Sequence, residues 1–200
     1  RSGYDLKTAR RSMNLMTIEW QNRGINMWTI DDGAVTLVEG VTQYDLPADT
    51  IDLLEQVIRT NSGNTTTQSD LTINRISVST YATIPNKLTR GRPIQVWVER
   101  LAANPKFSVW PVPDSGDYLF KYYRMRRIQD AGAGVETADM SFRFLPCLVA
   151  GLAYHIAMKV PELMPRVQML KTVYDEQFEM AAGEDREKTS AMFTPRVARI

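Results

Sequence analysis

The stretch Phe107-Ser-Val-Trp-Pro-Val-Pro-Asp-Ser-Gly-Asp-Tyr-Leu-Phe-Lys-Tyr-Tyr123 indicates how the middle of this chain folds. Its two halves are rich in aromatic and β-branched residues, which favour extended strands. Between them lies Asp114-Ser-Gly116, a turn signal, because glycine adopts a positive φ angle at little cost. The stretch therefore predicts an antiparallel hairpin.

Short apolar runs separated by turn residues continue on the N-terminal side of this hairpin. Together with the hairpin they predict strands at 35–38, 51–59, 94–101, 107–110 and 118–127. The polar tract 61–70 has nothing to bury, so we expect an exposed loop or hairpin tip there. Residues 26–134 are therefore predicted to form an antiparallel β-rich module.

Helical periodicity flanks this module on both sides. Before it, apolar residues recur every three or four positions over residues 4–23, and Gly24 follows as a stop signal. After it, the stretch 142–160 is almost entirely apolar, so we expect a helix at the buried centre of a bundle. Small residues such as Gly151 would let a second helix approach this one closely.

A third, amphipathic helix is predicted at 166–187, after a corner made by Pro161 and Pro165. The predicted fold class is α+β, with a three-helix bundle and an inserted antiparallel β-rich module. The N-terminal helix and a C-terminal helical hairpin would make the bundle. The predicted domains are the helical bundle at 1–25 and 135–187, the module at 26–134 and an extended C-terminal tail at 188–200.

Composition predicts an ordinary soluble globular protein. Apolar residues make up 44% and charged residues 24% of the 200 residues, which is typical of folded domains. The formal net charge of +1 gives no global attraction to nucleic acid or to an anionic membrane. The chain has neither an apolar run of about 18 residues nor a secretory signal pattern, so we expect synthesis in a cytoplasm.

Charge is distributed unevenly along the chain. Residues 89–129 hold eight Lys or Arg against three acids, whereas residues 130–187 hold five against ten. From Lys188 onward there are three basic residues and no acid. The middle of the chain is therefore basic, the next segment is acidic, and the tail is basic again.

No constellation of residues predicts a catalytic, cofactor or metal site. His155 is the only histidine and has no convergent partner in the sequence, so we expect a structural or interface role. Cys147 is the only cysteine, which excludes an intrachain disulfide and favours a small buried side chain. Gly132-Ala-Gly134 lacks the lysine and hydroxyl residue of a phosphate loop. The chain is therefore predicted not to be an enzyme.

The segment Lys121-Tyr-Tyr-Arg-Met-Arg-Arg127 interleaves aromatic and basic side chains. Such side chains can stack on bases and neutralise phosphates. Because alternate residues of a strand face opposite sides, both faces are mixed, and a sheet packed between subunits explains the pattern equally well. Arg90 and Arg92 make a basic turn that is open to the same two interpretations. The candidate subunit or channel contacts are Arg90, Arg92, Lys121, Arg124, Arg126 and Arg127.

Six short phrases follow one another in a characteristic order. They are Glu19-Trp-Gln-Asn-Arg-Gly-Ile-Asn-Met-Trp28, Tyr44-Asp-Leu-Pro47, Ile51-Asp-Leu-Leu54, Leu101 with Asn104-Pro105, Val109-Trp-Pro-Val-Pro-Asp114 and Arg126-Arg-Ile-Gln-Asp130. In this order, with long C-terminal helices after them, they resemble the head-to-tail adaptor, or connector, proteins of short-tailed bacteriophages. The resemblance covers nearly the whole chain.

The resemblance implies a structural virion protein without cofactors. Such adaptors form twelve-fold rings that join the portal protein to the tail nozzle protein, with the helical part near the portal. Packaged DNA passes through the central channel, and the ring helps to retain it. A ring of this kind needs two different complementary patches on each subunit. The basic middle and the acidic later segment are candidates for these patches.

The terminal tail is a second candidate contact. Its residues Phe193, Arg196, Val197, Arg199 and Ile200 could become ordered in a groove of the portal or of an adjacent subunit, and a frayed terminus is the alternative. Three other functions stay open at this point. They are another tail-completion or nozzle-adjacent structural protein, a DNA-binding protein, and a cell-wall-degrading virion enzyme. The enzyme is disfavoured because no acid and base pair is positioned for it.

Overall fold

The structure of the chain is a computed structural model that describes residues 2–25, 27–129 and 139–185, with side chains from residue 6 onward. The chain forms two compact units. One contains residues 29–128 and is called the β unit, and the other contains the described parts of 1–28 and 129–200 and is called the helical unit. The domain boundaries expected from the sequence stay a prediction, and the tail at 188–200 lies outside the described residues.

The β unit contains eight strands and one short helix within its described residues. The strands are β1 Ile30–Thr36, β2 Gln43–Asp45, β3 Thr50–Thr60, β4 Ser69–Thr72, β5 Asn74–Arg75, β6 Gln95–Glu99, β7 Lys106–Trp110 and β8 Leu119–Arg126, and the helix α2 is Val78–Ala82. They form two four-stranded sheets, with the orders β1-β8-β3-β4 and β2-β7-β6-β5. All pairings are antiparallel except that of β5 with β6. In β1 and β8, Ile30 lies opposite Met125.

The core of the β unit lies between the two sheets. The Phe107 ring on β7 stacks on the Phe120 ring on β8, with 4.3 Å between centroids, and both side chains are fully buried. Leu53 and Ile58 from β3 join them from the same sheet as β8. The alternating apolar residues of these strands therefore form a core between two packed sheets and not the buried face of a single sheet.

The predicted hairpin between residues 107 and 123 is wrong, because its two strands lie in different sheets. Strand β7 pairs with β6, which sets Val96 opposite Val109, whereas β8 lies between β1 and β3. Pro111 and Pro113 have no N–H group with which to continue a ladder, so the chain leaves the sheet of β7 there. The four strand predictions at 51–59, 94–101, 107–110 and 118–127 are confirmed within a few residues, but the first strand begins at Ile30 rather than at residue 35.

The helical unit contains α1 Ser2–Asn22, α3 Leu145–Ala157 and α4 Val167–Glu184, with short 3₁₀ turns at Phe142–Phe144 and Pro161–Arg166. Another 3₁₀ turn, Met27–Thr29, precedes β1. Helix α1 ends as the sequence predicts. Gly24 has a φ of +88°, its N–H donates to the carbonyl of Gln21 at 3.0 Å, and the N–H of Ile25 donates to that of Trp20 at 3.0 Å.

The three long helices share one buried cluster. The Trp20 indole N–H donates to the Tyr174 hydroxyl at 2.9 Å, and both rings are buried. Gly151 on α3 faces Met16 and Tyr174 so closely that a Cβ atom there would lie 2.7 Å from the Tyr174 ring. The prediction that small residues on α3 permit close approach is therefore confirmed at Gly151. The α+β fold class is also confirmed.

The expectation that α3 forms the buried centre of a bundle is wrong for several of its large apolar side chains. The buried face of α3 carries Cys147, Gly151 and Ala157, whereas Val149 is 68% exposed and Leu145 is half exposed. Phe142, just before the helix, is 75% exposed. Small residues face the neighbouring helices because only small side chains fit there. Several large apolar side chains of α3 therefore face solvent.

Candidate interaction surfaces

Arg124 and Arg126 continue the inward face of β8 to the end of the sandwich, after the buried Phe120 and Tyr122. The Arg124 guanidinium reaches Asp49 at 2.5 Å and Asp31 at 3.4 Å, and Arg126 reaches Asp31 at 3.0 Å. These two arginine side chains are only 12% and 14% exposed. They therefore join β8 to β1 and to the segment before β3.

The charge of Arg124 controls the ionisation of Asp49. Partial burial by itself would raise the pKa of Asp49, but the hydrogen bond and the positive charge of Arg124 outweigh it and hold that pKa below its ordinary value. The Asp49 carboxyl group is therefore ionised at neutral pH. The pair stabilises this end of the β unit as an internal contact.

The outward face of β8 carries Lys121 and the half-exposed Tyr123. They line a cleft of about 90 Å³ in which three acids, Asp32, Glu55 and Asp70, accompany Lys121 and Arg59. Arg59 binds Asp70 through two nitrogens at 2.6 and 2.7 Å. The hydrogen bonds from Arg59 lower the pKa of Asp70. An acidic lining of this kind repels phosphate, so the mixed face favours a protein neighbour over nucleic acid.

The remaining basic candidates of the β unit lie at its surface. Arg90 pairs with Glu39 at 2.7 Å, and both side chains are largely exposed. Arg92 and Arg127 are exposed, and neither forms an ion pair within the residues that the structure describes. The six candidate residues therefore do not form one basic patch: three are paired with acids, one lines the mixed cleft, and two are open.

The polar tract after β3 forms the tip of the β3–β4 hairpin, as the sequence predicts. Thr60 lies opposite Ser69 at its base. The side-chain oxygen of Asn64 accepts from the backbone N–H groups of Thr66 and Thr67 at 2.9 and 3.1 Å. The tip is exposed and shaped by its own hydrogen bonds, which makes it a defined surface feature.

His155 and Cys147 have structural positions in the helical unit. His155 lies beside Tyr154 and Tyr174, and its Nε2 is 3.7 Å from Glu19. Burial raises the pKa of the Cys147 thiol to about 12, so it stays protonated and unreactive at neutral pH. Within the described ranges, no group of three or more His, Cys, Asp or Glu is placed to hold a metal ion.

Exposed apolar side chains on the helices are the feature that sequence reasoning missed. Large apolar residues are more than 40% exposed on all three long helices. They include Leu15 and Ile18 on α1, Leu145 and Val149 on α3, and Met169, Val173 and Met180 on α4. Periodicity assigned the apolar residues of each helix to one core, although α3 carries more of them than one face can bury. Exposed apolar groups of this extent mark interaction surfaces.

A cationic cleft lies where the first half of α1 meets the segment after α3. Lys7, Thr8, Arg11 and Lys159 line this cleft of about 350 Å³, which we call the α1 cleft. The Lys159 ammonium donates to the Ser12 hydroxyl at 2.7 Å, and that hydroxyl donates to the Thr8 carbonyl at 2.9 Å. The cleft therefore holds three positive charges, one of which is fixed in place by a buried serine.

Among the described residues, no helix is both long and apolar enough to cross a membrane. A comparison with curated proteins gives no match. A family model described as SU10 adaptor protein matches residues 4–199, which includes both units. This match confirms the resemblance to phage head-to-tail adaptors that the order of sequence phrases indicates. The chain belongs to the SU10 adaptor protein family, whose name indicates a structural component of the phage particle.

Proposed function

We propose that this chain is one subunit of a ring at the head–tail junction of the virion, made in the host cytoplasm and assembled between portal and tail nozzle. The family match over residues 4–199 carries this proposal. The exposed apolar side chains of the helical unit support it, because exposed apolar surface is a common feature of contact sites between proteins. The role requires no bond chemistry and no cofactor.

The proposal includes the arrangement of the subunit. A three-helix bundle made by 1–25 and 135–187 lies near the portal, and the module at 26–134 lies nearer the nozzle. Twelve copies close the ring, which lines the DNA channel and helps to retain packaged DNA. A closed ring needs two different patches on each subunit, and the helical unit offers apolar faces on three separate helices.

Within the β unit, the proposed contacts to neighbours or to the channel are Arg90, Arg92, Lys121, Arg124, Arg126 and Arg127. Arg92 and Arg127 are the best placed to act directly, because both are exposed and form no ion pair in the described part of the chain. Arg124 and Arg126 act by fixing the end of the sandwich through Asp31 and Asp49.

The C-terminal tail is proposed to dock on the portal or on an adjacent subunit through Phe193, Arg196, Val197, Arg199 and Ile200. Its composition supports this role, since it combines aromatic, aliphatic and basic residues with no acid. A variant that lacks residues 189–200 should bind the portal more weakly than the full chain. Unchanged affinity would show that the tail is dispensable.

Electron microscopy of the full chain mixed with its isolated portal tests the proposed function. We expect a closed ring of adaptor density on one face of the portal, with the subunit number read directly from the class averages. Portal particles without added density, at protein concentrations well above micromolar, would contradict the proposal.

A further inference from the structure

The outer face of α1 is basic at one end and apolar at the other. Lys7, Arg11, Leu15 and Ile18 lie within about 80° of one another on a helical wheel of about 100° per residue. All four are exposed, and they lie opposite the buried Met16 and Trp20. Within the residues described, neither Lys7 nor Arg11 forms an ion pair.

The outer face of α4 is acidic and apolar. It carries Met169, Val173, Glu176, Glu179 and Met180, all exposed, on the side opposite the buried Tyr174 and Phe178. Neither Glu176 nor Glu179 forms an ion pair with any described residue. Apolar side chains on this face recur at intervals of four and seven residues, which is the spacing of a helix-pairing seam.

These two faces complement each other but cannot meet within one chain. Helices α1 and α4 already use their inner faces to contact each other, through the Trp20–Tyr174 hydrogen bond and Arg23, which lies 4.5 Å over the Phe178 ring. Their outer faces therefore point away from the shared core. The occupant that supplies both opposite charge and matching apolar residues is a second copy of this chain.

We infer that the α4 outer face of one copy docks on the α1 cleft and the outer face of α1 of the next copy. The carboxylates of Glu176 and Glu179 then meet Lys7, Arg11 and Lys159. Leu15 and Ile18 pack on the methionines of α4. The inference rests on the proposed ring, since it names the contact between ring neighbours.

The direction of the pairing follows from the packing inside one copy. Trp20 contacts Tyr174 and Arg23 contacts Phe178, so α1 and α4 run parallel within the chain. Neighbours in a ring of many subunits differ by a small rotation, which leaves helix directions nearly unchanged. The two helices therefore pair in parallel across the interface, and Arg11 beside Glu176 places Leu15 at the level of Met180, four residues further along each helix.

Charge reversal in the full chain tests the polar half of this contact. Arg11→Glu alone and Glu176→Arg alone should each weaken association between copies by roughly tenfold or more, because like charges then face each other. The double variant should recover most of the loss. Lys171→Glu, on α4 but away from the outer face, is the matched control and should leave association unchanged. Equal association of all four variants would overturn the inference.

Directed cross-linking tests the apolar half. Leu15→Cys and Met180→Cys are made separately, mixed with the portal and oxidised. The native Cys147 is buried with a raised pKa and stays silent. A covalent dimer should form only when the two variants are mixed. A dimer from either variant alone, or none from the mixture, would overturn the inference.

Portal binding is scored in the same mixtures, which separates the two proposals. Portal-bound protein without the cross-link overturns the inference and leaves the proposed function intact. A cross-link without portal binding supports the inference and contradicts the proposed function.

Duplex DNA is the competing occupant of the α1 cleft. If Arg11→Glu weakens DNA binding but changes neither cross-link nor association, the cleft binds phosphate and the inference is overturned.

Discussion

The β unit and the helical unit differ in how far their charged side chains are paired within the unit. In the β unit most basic residues pair with acids of the same unit, as in Arg59 with Asp70, Arg75 with Asp52 and Arg124 with Asp49. In the helical unit, large apolar side chains are exposed on three helices, and Lys7, Arg11, Glu176 and Glu179 form no ion pair with a described residue. The charges of the β unit are therefore mostly paired within the unit, whereas these four charges of the helical unit are open to a partner.

The largest expected effect tests whether the β unit depends on its own core. Phe120→Ala removes a fully buried ring that stacks on Phe107 and should lower the free energy of unfolding by about 3–5 kcal/mol. Urea unfolding followed by circular dichroism measures it. Tyr123→Ala, on the outward face of the same strand, is the control and should cost far less. Equal losses would mean that the two faces of β8 are not distinguished by burial.

The helical core should resist added volume. Gly151→Ala would place a methyl group against Met16 and the Tyr174 ring, and overpacking of this kind costs about 1–3 kcal/mol of unfolding free energy. Gly183→Ala, on α4 with open space around it, should be neutral or slightly stabilising. Thermal unfolding of both variants compares them, and a stable Gly151→Ala variant would contradict the close approach of the helices.

The ion pairs of the β unit should appear in its pH dependence. The pKa of Asp49 is lowered in the folded chain, so its stabilising contribution is complete above the unfolded pKa of about 3.9 and is lost as pH falls through the lower folded value. Arg124→Ala should cost about 1–3 kcal/mol at neutral pH. It should also flatten the loss of stability below about pH 4. A variant with the same acid slope as the parent would show that Asp49 does not carry it.

The smallest effect on stability sharpens the contrast between the units. Val149→Ser changes a side chain that is already 68% exposed, so the free energy of unfolding should change by no more than about 0.5 kcal/mol. Association with portal or neighbouring copies should nevertheless weaken. Sedimentation velocity with and without portal measures both. Loss of stability without loss of association would place Val149 in a core rather than on a contact surface.

Local patterns predicted the elements well and their partners poorly. Alternation identified the strand that contains Phe120, and the spacing of three and four residues identified the helix that ends just before Gly24, because both depend on near neighbours. The sheet partner of β7 depends on β6 and on two prolines, so turn chemistry alone predicted the wrong pairing. The order of phrases led to the correct family, which the family match then confirmed.

The candidate surfaces were harder to predict because their residues are distant in sequence. Arg124 lies 75 residues from Asp49 and 93 from Asp31, and no pattern in the segment 121–127 reveals that it is paired. The α1 cleft joins Lys159 to Ser12, 147 residues apart. The one available signal for the exposed helix faces was the excess of apolar residues in 142–160, which exceeds what a single face can bury.

The pairing of Ile30 with Met125 has a consequence for how such a protein can change. Strands β1 and β8 are neighbours, so the first and last residues of the β unit emerge side by side. A segment whose ends meet can be lengthened, shortened or replaced by another fold while the chain on either side keeps its course. The β unit is therefore a natural point of exchange, where evolution or an engineer can join a different β unit to the same helical framework.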